Sequence, residues 1–430
     1  MSPDVKKVNF VSLGCAKNLV DTETAAGLLG SEGWALTAFP EEADAVVLNT
    51  CAFTREAREE SKTEIRRLSK KISPGAKFVI CGCLGQLEGK ELFKKFPRID
   101  SVAGSSDYRY IGGILKKLDG KKHFLRVGKA DFIAGASFPR LISTPASYAY
   151  IKIAEGCSNH CSYCMIPKLR GNYRSRSVKD ILTEAAALAK MGIKELILIA
   201  NDTAFYGNDP SGRALGNLLE RLSGIESILR IRTLYMHPSH VSGGLIKKIA
   251  SLPKVARYFD IPIQHTDSVI LKKMNRRPFE ETEKLIESIR KHIPGAAIRT
   301  TFITGFPGET KKRCRKLIED IKRIKFSWAG VFNYSPEKGS AAAALGGRPS
   351  SAVALLRAKE VMKVQRKISF DFARSAVGSH LEIIADSAFR GRTEFQTPGV
   401  DGEVIFLKKQ RPGSVKKMTI LKAKGYDLIA

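Results

Sequence analysis

Residues 148–167 read YAYIKIAEGCSNHCSYCMIP. The run Tyr148–Ala154 is apolar and rich in β-branched and aromatic residues, the pattern of a buried strand. Cys157, Cys161 and Cys164 follow at once, spaced C-x3-C-x2-C. Three thiolates on one short loop can hold three irons of a [4Fe–4S] cluster and leave the fourth iron without a protein ligand, where a substrate can chelate. A structural zinc ion is the alternative. It wants four closed ligands, so His160 or a distant residue would have to complete the set.

Working outward, the same strand-then-helix pattern recurs. ELILIA, LRIRTLYM, YFDIPIQ, AAIRTTFI and WAGVFNY are strand candidates like YAYIKIA, each followed by a helical periodicity. Six β/α units are too few to close an eight-fold barrel, so residues 147–350 read as a partial (β/α)6 barrel. The cysteine loop then opens at the carboxyl ends of the barrel strands, where catalytic sites of such folds sit. That position favours the cluster over zinc.

Upstream, residues 5–120 alternate apolar strands with amphipathic helices (KVNFVSLG, ADAVVLNT, AKFVICG and SVAG), which implies right-handed crossovers and a Rossmann-like parallel sheet. Cys15 follows the first strand, Cys51 the second and Cys83 the third. In a parallel sheet these lie at one edge, where ligand sites form. They suit a second cluster with an open iron, or a metal site of another kind. A phosphatase-like nucleophile at Cys15 would need a Gly-rich loop after it, and CAKNLVDTE has none. Cys81, two residues before Cys83, reads as a small buried hydrophobe on the same strand face, and Cys314 as structural or incidental.

Residues 121–146 lose periodicity and read as a linker, and 351–375 as a long helical connection. In 376–430 short β-rich runs separated by GRT, PGVDG and RPGS turns point to a small antiparallel β-barrel of OB-like type. Composition is that of a soluble globular protein, with 43% hydrophobic and 27% charged residues. No apolar run is long enough for a membrane span and the N-terminus lacks a signal-peptide core, so the expected location is cytoplasmic. That compartment disfavours disulfides. The 72 Lys+Arg against 43 Asp+Glu give a net charge of +29, which suits a polyanionic neighbour such as RNA or the ribosome, or else a solvated basic surface.

The Cys157–Cys164 loop resembles that of the radical S-adenosylmethionine (SAM) superfamily. With Cys15, Cys51 and Cys83 upstream and a terminal β-barrel, the whole chain resembles the methylthiotransferases: an N-terminal methylthiotransferase domain, a radical SAM domain and a TRAM domain. SLGCAKNLVDTE, RGNYRSRS, YFDIPIQH, LKKMNRR and VFNYSPEKGS also fit the family pattern. The resemblance implies two [4Fe–4S] clusters, an auxiliary one on Cys15, Cys51 and Cys83 and a SAM-cleaving one on Cys157, Cys161 and Cys164. It implies SAM contacts at Tyr163, Asn201, Asp202, Gln264, Gly305 and Glu309, with His265 a supporting or catalytic group. No catalytic side chain is assigned, since the chemistry lies at the clusters.

The residues after Cys15 resemble the RimO branch, which methylthiolates the β-carbon of an aspartate on the twelfth protein of the small ribosomal subunit. They tip the substrate away from tRNA adenosine, the target of the MiaB branch, which carries a Gln-Met-Asn run there. Implied partners are that ribosomal protein or the ribosomal particle, RNA through the basic surface and TRAM domain, an external electron donor and a sulfur source. The sequence departs from the family at Asp267-Ser268, where the order is commonly reversed, and at Gly399, where an acidic residue is common.

Overall fold

A computed structural model describes residues 5–120, 122–209 and 212–430. It falls into two compact units. The first comprises residues 1–143, 154–158 and 165–176, and the second 144–153, 159–164 and 177–430.

The first unit is built on a six-stranded, all-parallel sheet in the order β2-β1-β3-β4-β5-β6. Its strands are β1 (Lys7–Ser12), β2 (Ala35–Leu36), β3 (Ala45–Thr50), β4 (Lys77–Gly82), β5 (Ser101–Ala103) and β6 (Phe124–Arg126). Every residue of β3 is buried, as expected of a central strand with helices on both faces. One face packs Val46, Leu48, Phe78 and Ile80 against helix Arg55–Lys71, whose Thr54 cap accepts the Ala57 N–H. The other packs Val47 and Val79 against helix Ala16–Ser31. The region read as a linker begins with a strand: β6 pairs with β5 at the sheet edge. Its three residues are too few to show a period. The unit also holds a short ribbon formed by Ala154–Glu155 and Arg174–Ser175.

 In chain order these two ribbon strands are β8 (Ala154–Glu155) and β9 (Arg174–Ser175), and they pair antiparallel.

The second unit carries six parallel strands: β7 (Tyr148–Lys152), β10 (Glu195–Ile199), β11 (Arg230–Thr233), β12 (Tyr258–Asp260), β13 (Ala297–Thr304) and β14 (Trp328–Asn333). They form two three-stranded sheets, β7-β10-β11 and β12-β13-β14, joined across β11 and β12 by the Ile231–Val255 bridge and the Met236 N–H to Asp260 carbonyl bond. This is the open barrel expected from six β/α units. Helix Ser351–Ser375 leads from it into a six-stranded C-terminal sheet, Val415–Thr419 and His380–Ala385 at one end and Lys422–Lys424 at the other. Its pairs are antiparallel except one, Val404–Ile405 against Asp427–Ile429, which is parallel.

The C-terminal domain docks on the amino ends of the barrel strands. Glu195, the first residue of β10, is fully buried and accepts from Arg232 Nε and Arg392 Nη1, both at 2.8 Å. Trp328, which opens β14, donates to the Phe395 carbonyl at 2.7 Å. The opposite, carboxyl ends of the strands are left for the site. Among the described residues no helix is long and apolar enough to cross a membrane.

Candidate cluster sites and the barrel mouth

Strands β1, β3 and β4 are adjacent and parallel, so the residues that follow them converge. Cys15 caps the N-terminus of helix Ala16–Ser31, Cys51 follows β3, and Cys83 opens helix Cys83–Glu88. The approach is close: a Cβ on Gly14 would stand 2.9 Å from Cys51 Sγ. Burial pushes the Cys51 thiol up to about 12, and Cys83 and Cys15 add to the rise. Burial also raises Cys83, against the pull of Arg170. At Cys15 burial acts upward too, yet Lys17, Arg170 and the backbone N–H groups of Asn18 and Lys17 outweigh it and bring the thiol down. A helix N-terminus favours the thiolate in the same sense.

Cys81 turns away. Gly82 takes a φ of +90°, and Cys83 begins a helix instead of extending the strand. The two cysteines therefore lie on opposite faces of the sheet, not on one as an unbroken strand would place them. Cys81 packs with Val47 and Val79, and Cys83 with Leu48 and Ile80. Burial, with Asp21 and Cys83 behind it, drives the Cys81 thiol up. A Cβ at Gly82 would meet Asn49 Oδ1 at 2.1 Å, so only glycine makes this turn.

Arg170 was not singled out by sequence reasoning. Its guanidinium is buried in the first unit, where it donates to Glu155 Oε2 at 2.8 Å, Asp21 Oδ2 at 3.1 Å and Asn18 Oδ1. Its charge also draws the Cys83 thiol down. The residues after Cys15 are equally internal. Asn18 Nδ2 ties the Leu13 and Thr50 carbonyls at 2.8 and 3.0 Å, and Glu23 takes Arg140 Nη2 and Ser143 N–H at 2.6 and 2.7 Å. Asn18 and Asp21 thus brace the cysteine site through Arg170 and the strand ends, Glu23 ties down residues 140–143, and all three side chains are buried.

Of the second triad, Cys157 belongs to the first unit and Cys161 and Cys164 to the second. In the second unit the loop is anchored at several points. Arg276 Nη1 donates to Cys161 Sγ at 3.7 Å, Asn275 Nδ2 to the His160 carbonyl at 2.9 Å, and Ser162 Oγ to the Lys273 carbonyl at 2.7 Å. Tyr163 packs on the cluster formed by Ile270, Met274, Ile303 and Phe306, and burial raises its phenol. Asp267 supplies the cap of helix Ser268–Lys273, accepting from Val269 and Ile270 N–H at 3.1 Å, which is what the Asp-Ser order provides. Gly399 takes a φ of +67° in open space, a turn that glycine favours.

Asp202, Gln264 and Gly305 all follow strands at the mouth, and Asn201 is half-buried beside Asp202. Gln264 holds a φ of +76°, uncommon for a side chain of its size and of the kind that clusters at functional sites. Glu309 is fully internal. Its Oε2 accepts from Gly305 N–H at 2.5 Å and Arg357 Nη1 at 3.0 Å, and its Oε1 stands 3.7 Å from His265 Nε2. It holds the Gly305 turn in place. His265 Nδ1 accepts from Thr266 and Asp267 N–H at 3.0 and 2.9 Å, and its Nε2 has no hydrogen-bond partner among the described residues.

The residues fit the groups the sequence implied. The first site offers a sulfur-only triad with Cys81 turned out of it, and none of the eight cysteines is in a disulfide. The mouth keeps buried polar atoms without partners among the described residues, including His237 Nε2, Thr266 Oγ1 and Tyr334 OH, as a polar ligand such as SAM would require.

Three family models match: Uncharacterized protein family UPF0004 over residues 7–104, the Radical SAM superfamily over 151–321 and the TRAM domain over 377–430. A protein of Pelotomaculum thermopropionicum named "Ribosomal protein uS12 methylthiotransferase RimO" is 41% identical over 98% of each chain. One of the same name from Elusimicrobium minutum is 40% identical over 98% of each. The chain belongs to the RimO family. RimO-family membership agrees with the fold likeness to solved structures. TsrM of Kitasatospora setae, a radical S-adenosylmethionine methyltransferase, matches with a TM-score of 0.55 at 17% identity, over 76% of this chain and 72% of that one. OxsB, a cobalamin-dependent S-adenosylmethionine radical enzyme, matches at 0.53 and 14%, over 85% and 58%.

Proposed function

We propose that this chain is a radical SAM methylthiotransferase that replaces a hydrogen on the β-carbon of an aspartate of ribosomal protein uS12 by a methylthio group. The observation that carries the reading is the pairing of two cysteine triads, each following a strand of a parallel sheet, in a chain whose RimO relatives match it from end to end. Cys15, Cys51 and Cys83 would hold an auxiliary [4Fe–4S] cluster, and Cys157, Cys161 and Cys164 the cluster that binds SAM. When bound, these groups supply a one-electron reductant, a sulfur to be methylated and a carbon radical able to take hydrogen from an unactivated C–H bond.

The chain's own residues hold and orient. Arg170 neutralises charge beside Cys83 and Cys15, and Arg276 does the same at Cys161. Tyr163, Asn201, Asp202, Gln264 and the Gly305 turn line the mouth that SAM would occupy, and Glu309 and His265 fix that turn from behind. The packed wall of Ile270, Met274, Ile303 and Phe306 keeps water from a reactive radical. The C-terminal domain sits at the far ends of the strands, so a grip it takes on ribosomal RNA or protein acts on a part of the particle away from the target side chain. An external electron donor and a sulfur source complete the system, which works in the cytoplasm where ribosomes are assembled.

The test is a two-substrate assay on anaerobically reconstituted protein. A methylthio mass gain on the uS12 aspartate, with 5′-deoxyadenosine released and tRNA unmodified, is the expected result. Modification of tRNA adenosine and not of uS12 overturns the substrate; no 5′-deoxyadenosine under reducing conditions overturns the chemistry.

A further inference from the structure

At the exits of β10 and β11 the side chains of Asp202, His237 and His240 meet, with one potential ligand atom from each within 4.8 Å of the others. Two imidazoles and a carboxylate suggest a divalent cation, but the hydrogen bonds argue otherwise. His237 Nδ1 accepts the Ser239 N–H at 3.3 Å, so the proton of the neutral ring is on Nε2. That Nε2 is buried and has no partner among the described residues. The Asp202 carboxylate already accepts from His240 Nδ1 at 2.6 Å, Asn159 Nδ2 at 2.8 Å and His237 N–H at 3.2 Å. A cation would have to break this set.

What the cluster lacks is an acceptor. Asp202 holds His240 by Nδ1, which leaves Nε2 for a ligand, and the ring is fixed by stacking on Phe205 with centroids 4.6 Å apart. The two imidazoles lie side by side, centroids 5.4 Å apart. Arg276 and Arg277 add positive potential at His237. A buried N–H without an acceptor is costly, and this one lies on the segment that follows β11, beside the exit of β10.

We propose that His237 and His240 form a carboxylate-binding subsite in the barrel mouth, with Asp202 as the group that positions His240. This rests on the proposed function, in which the reacting side chain is itself an acid. A carboxylate reaches the mouth from two sources, the target side chain and the methionine moiety of SAM. The substrate peptide source would make these rings a device that selects an aspartate over its amide.

The experiment uses the full chain and two synthetic peptides spanning the uS12 target, one with aspartate and one with asparagine, and it measures peptide binding by fluorescence anisotropy and SAM binding by equilibrium dialysis. The variants are His237→Phe and His240→Phe, which keep the ring and remove its nitrogens, with His240→Gln held in reserve should a phenylalanine variant not fold. For the aspartate peptide the parent should bind about ten- to a hundred-fold tighter than for the asparagine peptide, the worth of a charge-assisted hydrogen bond, and the variants should abolish that preference while binding the asparagine peptide as before. A preference that survives together with weakened SAM binding assigns the carboxylate to SAM. If neither the preference nor SAM affinity changes, the subsite is refuted. Retention of a divalent metal beyond iron in the parent, lost in the variants, refutes it as well. If neither peptide binds the parent, the substrate assignment is what fails, and the SAM measurement alone decides the subsite.

Discussion

Replacing Arg170 by methionine keeps much of its volume and removes its charge. Its side chain is 3% exposed, and its partners Asp21 and Glu155 are 2% and 4% exposed. The change strands two buried carboxylates, and breaking a buried pair in this way costs about 3–5 kcal/mol. For a unit of this size each kcal/mol moves the melting temperature by about 2–4 °C, so the first unit should melt about 6–20 °C lower. Differential scanning calorimetry of the metal-free full chain measures this without interference from cluster loading. The triple variant Arg170→Met, Asp21→Asn, Glu155→Gln removes the stranded charges as well and should recover more than half of the loss. A single variant that melts within about 2 °C of the parent would refute the claim that this guanidinium holds the cysteine site together.

Other outcomes follow from the same geometry. The loaded protein should contain about eight irons per chain, and replacing Cys15, Cys51 and Cys83 by alanine should remove about half of them while SAM is still cleaved; unchanged iron by colorimetric assay would contradict the ligand set. Burial alone would raise the Glu195 carboxyl, but Arg392, Arg232 and Arg230 outweigh it and hold it at about 2. Its stabilisation, about 3 kcal/mol on that shift, is therefore complete above the ordinary glutamate range and lost as pH falls towards 2. Acid denaturation of Glu195→Gln should show a flatter dependence between pH 4.5 and 2 than the parent, and an identical slope would exclude the role. Gly82→Ala should cost more than about 2 kcal/mol in urea unfolding, because it combines a left-handed backbone with a contact of 2.1 Å to Asn49 Oδ1.

The architecture was legible wherever a signal is local. Strands β1, β3, β4 and β5 and the six barrel strands stand in the sequence as apolar runs, and the convergence of Cys15, Cys51 and Cys83 follows from strand order alone. What was hidden depends on distant chain segments. Arg170 acts on Asp21 across 149 residues, and no periodicity reports such a pairing. CAKNLVDTE carried the resemblance to the RimO branch, but nothing in the run tells that Asn18, Asp21 and Glu23 are internal hydrogen-bonding groups. Nor does the sequence announce that Glu309 Oε2 is tied to Gly305 and Arg357, while its Oε1 stands 3.7 Å from His265 Nε2. His237 and His240 had no motif to announce them; the Ser239 bond that fixes the His237 proton is visible only in three dimensions.

The first unit is completed by Ala154–Ser158 and Met165–Arg176, segments made well after its sheet. During synthesis the strands bearing Cys15, Cys51 and Cys83 leave the ribosome long before Arg170 does. Until it arrives, Asp21 lacks that guanidinium, and contacts of such sequence separation are the kind that slow folding. The wall that Arg170 adds beside Cys15 and Cys83 is therefore laid only once the chain carrying Cys157, Cys161 and Cys164 has been made.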